Sequence, residues 1–142
     1  MTPEQRELLR QSWPPIAADA DRLSAVFYDR LFELDPDARA LFAKTDMTVQ
    51  RKKFLDMLGE IVKVIDDTDQ LVPSVVGLAR RHVTYGVEPA QYATVGQALT
   101  WMLEEGLGDA FSDDVRRAWA DAYRYVAALM QRTGGATARA PT

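Results

Sequence analysis

The sequence lacks cysteine and contains a single histidine, His82, among its 142 residues. A chain with this composition cannot build a zinc site of the usual His/Cys kind, a Cys/His nucleophile or a bis-histidine arrangement. The absence of cysteine also excludes a disulfide framework, which is compatible with a reducing cytoplasm. Any metal held through an imidazole must therefore depend on one side chain.

Long apolar runs and a basic charge balance are missing as well. No segment approaches the roughly 18 consecutive apolar residues of a membrane span. The first ten residues, MTPEQRELLR, carry charges of both signs and lack the apolar core of a secretory signal. The formal net charge of −4 does not favour nucleic acid. We therefore expect a cytoplasmic protein without a membrane or nucleic-acid partner.

Strand signals are absent, whereas helical signals recur along the chain. A capping box at residues 2–5 opens the first helix, and Pro14 and Pro15 are expected to interrupt or end it near Trp13. Glycines at positions 106 and 108 are expected to stop a later helix. The remaining helices are predicted over residues 19–34, 37–42, 48–66, 70–84 and 89–105, and from a cap at Ser112 onward.

About seven helices with short links predict an all-α protein with one core. We assign residues 1–133 to a single domain. Residues 134–142, GGATARAPT, have no apolar pattern and are expected to form a disordered tail.

His82 falls on the apolar stripe of its predicted helix, with Val75, Leu78 and Ala79 at the spacing i, i+3, i+4, i+7. Its imidazole should point inward, where both nitrogens need partners. One ring N–H can reach the Leu78 carbonyl and leave the other nitrogen as a lone pair, as in metal-binding histidines. A haem iron with one protein ligand suits this arrangement. The alternative is a core histidine satisfied by a hydroxyl of Tyr85, Tyr92 or Tyr123.

Five segments together resemble a bacterial single-domain globin, of the type related to the haem domain of flavohaemoglobins. They are FYDRLFELDPDARALF (27–42), QRKKFLDMLGEIVKVID (50–66), LVPSVVGLARRHVTYGV (71–87), QYATVGQALTWMLEEGLGDAFSDD (91–114) and AWADAYRYVAALM (118–130). The resemblance covers residues 4 to about 131. It implies a globin fold whose helices pack around one haem pocket, with haem b as the cofactor.

Six positions match residues of the globin pocket. The resemblance implies that His82 is the proximal iron ligand, that Gln50 faces the bound ligand, and that Tyr28 is the distal tyrosine. It further implies that three aromatic residues contact the haem or lie beside the proximal histidine: Phe42, Phe54 and Tyr92. Without the resemblance, the phenylalanines are ordinary core residues, and Gln50 and Tyr28 can face solvent.

Hydrogen bonds from Tyr28 and Gln50 to bound dioxygen are expected to give high oxygen affinity and slow release at a five-coordinate iron. Nitric oxide and carbon monoxide are expected to bind at the same site. The alternative is a nitric oxide dioxygenase served by a separate reductase. The chain has no flavin- or nucleotide-binding fingerprint and has about Gly134 where flavohaemoglobins place a glutamate, so ligand binding is favoured over a dedicated enzyme.

Two further questions stay open at this point. A haem-free module of globin-like fold that acts through protein contacts is a third hypothesis. The oligomeric state is either a monomer or a homodimer. Short basic clusters such as Arg51-Lys52-Lys53 are interpreted as solvated helix faces, although some could lie near haem propionates.

Overall fold

The computed structural model describes the backbone of residues 1–84 and 89–139, and the side chains of residues 1–79 and 90–132. Within these ranges the chain is helical and has no strand, which confirms the predicted all-α class. The α-helices are α1 (Pro3–Ala18), α2 (Ala20–Leu34), α3 (Met47–Val64), α4 (Thr68–Thr84), α5 (Pro89–Leu107) and α6 (Asp113–Arg139). Two 3-10 helices, Pro36–Phe42 and Gly108–Ala110, connect α2 to α3 and α5 to α6. Among the described residues, no helix is long and apolar enough to cross a membrane.

The first helix begins as predicted but ends later than predicted. Thr2 Oγ1 accepts the Gln5 backbone N–H at 3.1 Å, and Gln5 Oε1 accepts the Thr2 N–H at 3.0 Å, which completes the capping box. The expectation that Pro14 and Pro15 interrupt or end the helix near Trp13 was wrong, because α1 continues through both. Both prolines are exposed, so solvent can satisfy the carbonyls that lose donors, while the fully buried Ile16 holds the last turn in the core.

Gly106 does not end α5, which continues to Leu107. A Cβ atom at position 106 would lie 2.6 Å from Ile16 Cδ1 and 2.7 Å from Leu23 Cδ1. Glycine is therefore required there for close packing of α5 against the first two helices. Gly108, by contrast, has φ +53°, a conformation that favours glycine, and it lies just past the helix end as predicted.

The last helix starts at the predicted cap, where Ser112 Oγ accepts the Val115 N–H at 3.3 Å. Its backbone is helical through Arg139, so residues 134–139 of the expected disordered tail belong to α6. Residues 140–142 lie outside the described part of the chain, and the domain boundary at residue 133 stays a prediction.

The core lies where α4 packs along α6 and α2 packs along α5, with α1 covering α6 and α3. One buried hydrogen bond joins the first and last helices, because Trp119 Nε1 donates to Ser12 Oγ at 2.9 Å. The largest completely buried side chains are Leu9, Ile16, Leu23, Leu71, Val75, Met102 and Leu103. These residues fill one end of the molecule, and the other end contains a cavity.

Candidate ligand-binding cavity

A cavity of about 700 Å³ is enclosed by residues of α2, the Pro36–Phe42 helix, α3, α4, α5 and α6. This volume lies within the range of small-molecule and cofactor sites. Its apolar lining includes Phe27, Leu31, Leu41, Phe42, Phe54, Met57, Ile61, Leu78, Val95, Val126 and Met130. A smaller number of polar side chains face the same space, chiefly Tyr28, Gln50, Lys53, Gln91, Tyr92 and Tyr123.

Tyr28 and Gln50 form a hydrogen-bonded pair on the cavity wall. Tyr28 lies on α2 and is only 5% exposed, whereas the half-buried Gln50 lies in the first turn of α3. Gln50 Nε2 donates to the Tyr28 hydroxyl at 3.1 Å. Asp46 caps α3 by accepting the Thr48 N–H at 3.0 Å, which fixes the turn that carries Gln50. Because the Tyr28 oxygen accepts this bond, its own proton is available to an acceptor in the cavity.

The Tyr28 phenol is held in its neutral form. Burial raises the pKa of Tyr28 to about 12, and the hydrogen bond from Gln50 opposes that shift. The hydroxyl is therefore protonated at neutral pH, and Tyr28 presents a hydrogen-bond donor rather than an anionic oxygen.

Aromatic side chains fix the orientation of the Tyr28 ring. Phe42 and Phe54 contact it edge-on, with ring centroids 5.5 Å and 5.7 Å away. Phe27 stacks on Phe54 with centroids 4.0 Å apart. These contacts leave the Tyr28 ring little freedom to reorient, so its hydroxyl stays at a defined position on the wall.

A second tyrosine pair lies between α5 and α6. The Tyr123 hydroxyl donates to the Tyr92 backbone carbonyl at 2.5 Å, and both side chains line the cavity. Burial raises the pKa of both phenols, so these hydroxyls are also neutral. Beside this pair, Gln91 Nε2 donates to Asp35 Oδ2 at 3.4 Å and links the start of α5 to the end of α2.

Five of the six predicted site residues come together around this cavity: Tyr28, Phe42, Gln50, Phe54 and Tyr92. The sixth, His82, belongs to α4, but its side chain lies outside the described residues. Leu78, one helical turn before it, lines the cavity.

Sequence reasoning missed two polar residues of the wall. Tyr123 was considered only as a possible partner of His82, although its place on the stripe with Trp119, Ala122 and Val126 indicates an inward direction. Lys53 was grouped with solvated basic residues. It is exposed but lines the cavity, and its position three residues after Gln50 was the available signal.

Comparisons with known proteins agree with this arrangement. Residues 25–130 match the family model described as Globin. Neuroglobin of Tetraodon nigroviridis is 31% identical over 93% of this chain and 91% of its own length, and Neuroglobin-2 of Oncorhynchus mykiss is 30% identical over the same shares. A hexacoordinated heme protein from an anhydrobiotic tardigrade shares the fold, with a TM-score of 0.86 at 17% identity over 95% of this chain and 96% of that one. The predicted globin fold is confirmed, and the chain belongs to the globin family.

Proposed function

We propose that this protein holds haem b in the central cavity and binds dioxygen reversibly there, with His82 as the one protein ligand to the iron. When bound, haem supplies an iron centre that takes up diatomic ligands. The observation that carries the proposal is the Tyr28–Gln50 pair, a buried and protonated donor on the wall of a large apolar cavity. The tardigrade protein of the same fold is described as a heme protein, which supports the choice of cofactor.

The cavity residues fit the chemistry of haem. A porphyrin is a broad apolar ring with two carboxylates at one edge, and the 700 Å³ space is walled mainly by apolar and aromatic side chains such as Phe42 and Phe54. Lys53 adds an exposed ammonium group at the same cavity, where it can pair with a carboxylate. Burial of the ring against these walls accounts for retention of the cofactor.

His82 is proposed as the iron ligand because it is the only imidazole in the sequence. Helical periodicity puts position 82 on the stripe of Leu78, which lines the cavity. The chain cannot supply a second histidine to the opposite face of the iron. We therefore infer a five-coordinate reduced iron, in contrast to the tardigrade protein described as hexacoordinated.

Tyr28 and Gln50 have different parts in ligand binding. Two equivalent donors were expected, but one N–H of Gln50 is already directed to the Tyr28 oxygen. Gln50 thus orients the Tyr28 proton toward the cavity, and Tyr28 is the principal donor. A diatomic ligand that carries partial negative charge accepts this proton in a bond worth about 1.5–3 kcal/mol. Dioxygen is favoured over carbon monoxide by this contact, because carbon monoxide accepts hydrogen bonds weakly.

The visible spectrum of the purified protein in its ferric, reduced and oxygenated forms tests the proposal. A Soret band and reversible oxygenation are expected. A protein that takes up no haem would overturn the proposal in favour of a haem-free module. Nitrate formation from the oxygenated protein, followed by turnover with an added reductase, would assign the protein to nitric oxide dioxygenation instead. The likeness to flavohaemoglobin domains and the cytoplasmic location stay predictions.

A further inference from the structure

A second cavity of about 300 Å³ lies between α5 and α6, beside the central one. Small residues of both helices form its own walls: Ala93, Gly96 and Ala120. Leu99, Trp119 and Tyr123 line both cavities. One layer of side chains therefore separates this side cavity from the central cavity.

The three side chains of that layer are held to different degrees. Leu99 is 5% exposed and Trp119 6% exposed, and the Trp119 indole is tied to Ser12 of α1. Tyr123 is only half-buried and has one hydrogen bond to another element, the 2.5 Å bond from its hydroxyl to the Tyr92 carbonyl. Tyr123 is therefore the member of the layer that moves at least cost.

The Tyr123 ring rests on a glycine. A Cβ atom at Gly96 would lie 2.9 Å from Tyr123 Cε2, so the bare backbone of α5 is what allows the ring to close against it. Gly96 also lines the side cavity. When the hydroxyl releases the Tyr92 carbonyl, the ring has open space beside it on this side.

We propose that the side cavity is a docking site for small uncharged gas molecules and a lateral entrance to the central cavity, with Tyr123 as its gate. The proposal rests on the proposed function, because the gases concerned are the diatomic ligands of the central cavity. The space is far smaller than a cofactor site, and most of its wall is apolar, which favours uncharged guests. The one charged residue at its edge, Arg124, is exposed and pairs with Asp121.

Docking is tested with xenon as the probe, by following backbone amide shifts of the reduced protein under increasing xenon pressure. Saturable shifts are expected at Ala93, Gly96 and Ala120, which line only the side cavity. Ala120→Phe fills that cavity and should abolish them. Absence of saturable shifts in the wild-type protein would overturn the docking site. This outcome is separate from the proposed function, since haem uptake is read independently from the Soret band.

Gating is tested by carbon monoxide recombination after flash photolysis. Tyr123→Phe removes the bond to the Tyr92 carbonyl and should raise the bimolecular rate about two- to tenfold, the range for one neutral hydrogen bond. Ala120→Phe should lower the rate. If it fails to fold by circular dichroism, Ala93→Phe fills the same space from α5.

The matched control is Tyr125→Phe, an exposed tyrosine two residues away on α6, which should leave the rate unchanged. Equal rates for Tyr123→Phe and Tyr125→Phe would refute the gate. Unchanged rates in the folded cavity-filling variants would refute the lateral entrance.

Discussion

Tyr28 is the residue on which ligand affinity depends most directly. Its hydroxyl accepts the Gln50 amide at 3.1 Å, and its ring is held by Phe42 and Phe54. The rigid ring determines where the oxygen lies, and the Gln50 bond determines which way the proton points. A hydroxyl fixed in this manner is preorganised for a partly anionic ligand, so no reorientation cost is paid when the ligand binds.

We expect Tyr28→Phe to raise the oxygen dissociation rate about tenfold to a hundredfold, which corresponds to a bond of 1.5–3 kcal/mol. Gln50→Leu should have a smaller effect, because the Tyr28 proton remains. Stopped-flow displacement of oxygen by carbon monoxide measures both rates, with Tyr125→Phe as the control. A larger effect of Gln50→Leu than of Tyr28→Phe would contradict the assignment of Tyr28 as principal donor.

Alkaline pH should weaken the fold through Tyr28. Its pKa is about 12 in the folded protein against an ordinary value of 10.0, so the unfolded chain loses this proton first. The contribution is fully present below pH 10 and is lost as the pH rises through 12. Urea unfolding from pH 9 to pH 12 should show the stability difference between wild type and Tyr28→Phe falling by on the order of 2 kcal/mol. A difference independent of pH would refute the burial argument.

Individual residues were predictable to different degrees. Family resemblance selected Tyr28 and Gln50 from separate segments, and both line the cavity. The direction of their hydrogen bond was not predictable, because periodicity gives the face of a helix but not the partner of a donor. Tyr123 was missed as a wall residue for a related reason: its Tyr92 acceptor is a backbone carbonyl 31 positions earlier, and no local pattern signals such a contact.

Helices α1 and α6 are joined by a buried polar bridge. Ser12 Oγ donates to the Leu8 carbonyl at 2.7 Å and accepts the Trp119 N–H at 2.9 Å. Ser12→Ala should leave the indole N–H buried without that partner and reduce the free energy of unfolding by about 1–3 kcal/mol. Chemical denaturation measures this loss.

The double variant Ser12→Ala/Trp119→Phe is the informative control for this bridge. It removes both partners, so part of the Ser12→Ala penalty should disappear relative to Trp119→Phe alone. Strictly additive losses would show that the bridge contributes no coupling between the helices.

The packing of α5 on the first two helices depends on Gly106. Ile16 and Leu23 are both 0% exposed and would meet a Cβ atom at position 106. Gly106→Ala should therefore destabilise the protein by about 1–3 kcal/mol, despite the higher helix propensity of alanine. Glu105→Ala, at an exposed neighbouring position, should be nearly neutral in the same denaturation experiment. Stabilisation by Gly106→Ala would contradict the packing argument.

Helix boundaries were predictable where a local signal decides them. The box at Thr2 and the cap at Ser112 start helices as expected, because a side chain satisfies backbone donors within three residues. The ends after Pro15 and Gly106 were misplaced, since burial of Ile16 and Leu23 in a distant contact outweighs the local preference. Tertiary packing of this kind leaves no trace in a short window of sequence.

At the level of the whole molecule, the core and the cavity divide the space between the helices. Close packing around Ile16, Leu23 and Met102 fills one end, while the aromatic wall and the two tyrosine pairs surround an open volume at the other. Neither region uses a disulfide, because the sequence has no cysteine. The burial of apolar surface must therefore supply most of the stability, and a bound haem would add to it by mass action.

The single histidine leads to a prediction for the entire protein. We expect His82→Gly to lose the Soret band on purification, because no other imidazole in the chain can replace the ligand. Added imidazole should restore haem binding by occupying the space of the missing side chain, while the far-ultraviolet circular dichroism stays helical. Gln50→Leu serves as the control and should retain haem. In the wild-type protein, the reduced spectrum should be high-spin, since a low-spin form with two nitrogen ligands needs a second imidazole. A strong bis-nitrogen low-spin spectrum of the reduced monomer would overturn the assignment of a five-coordinate iron.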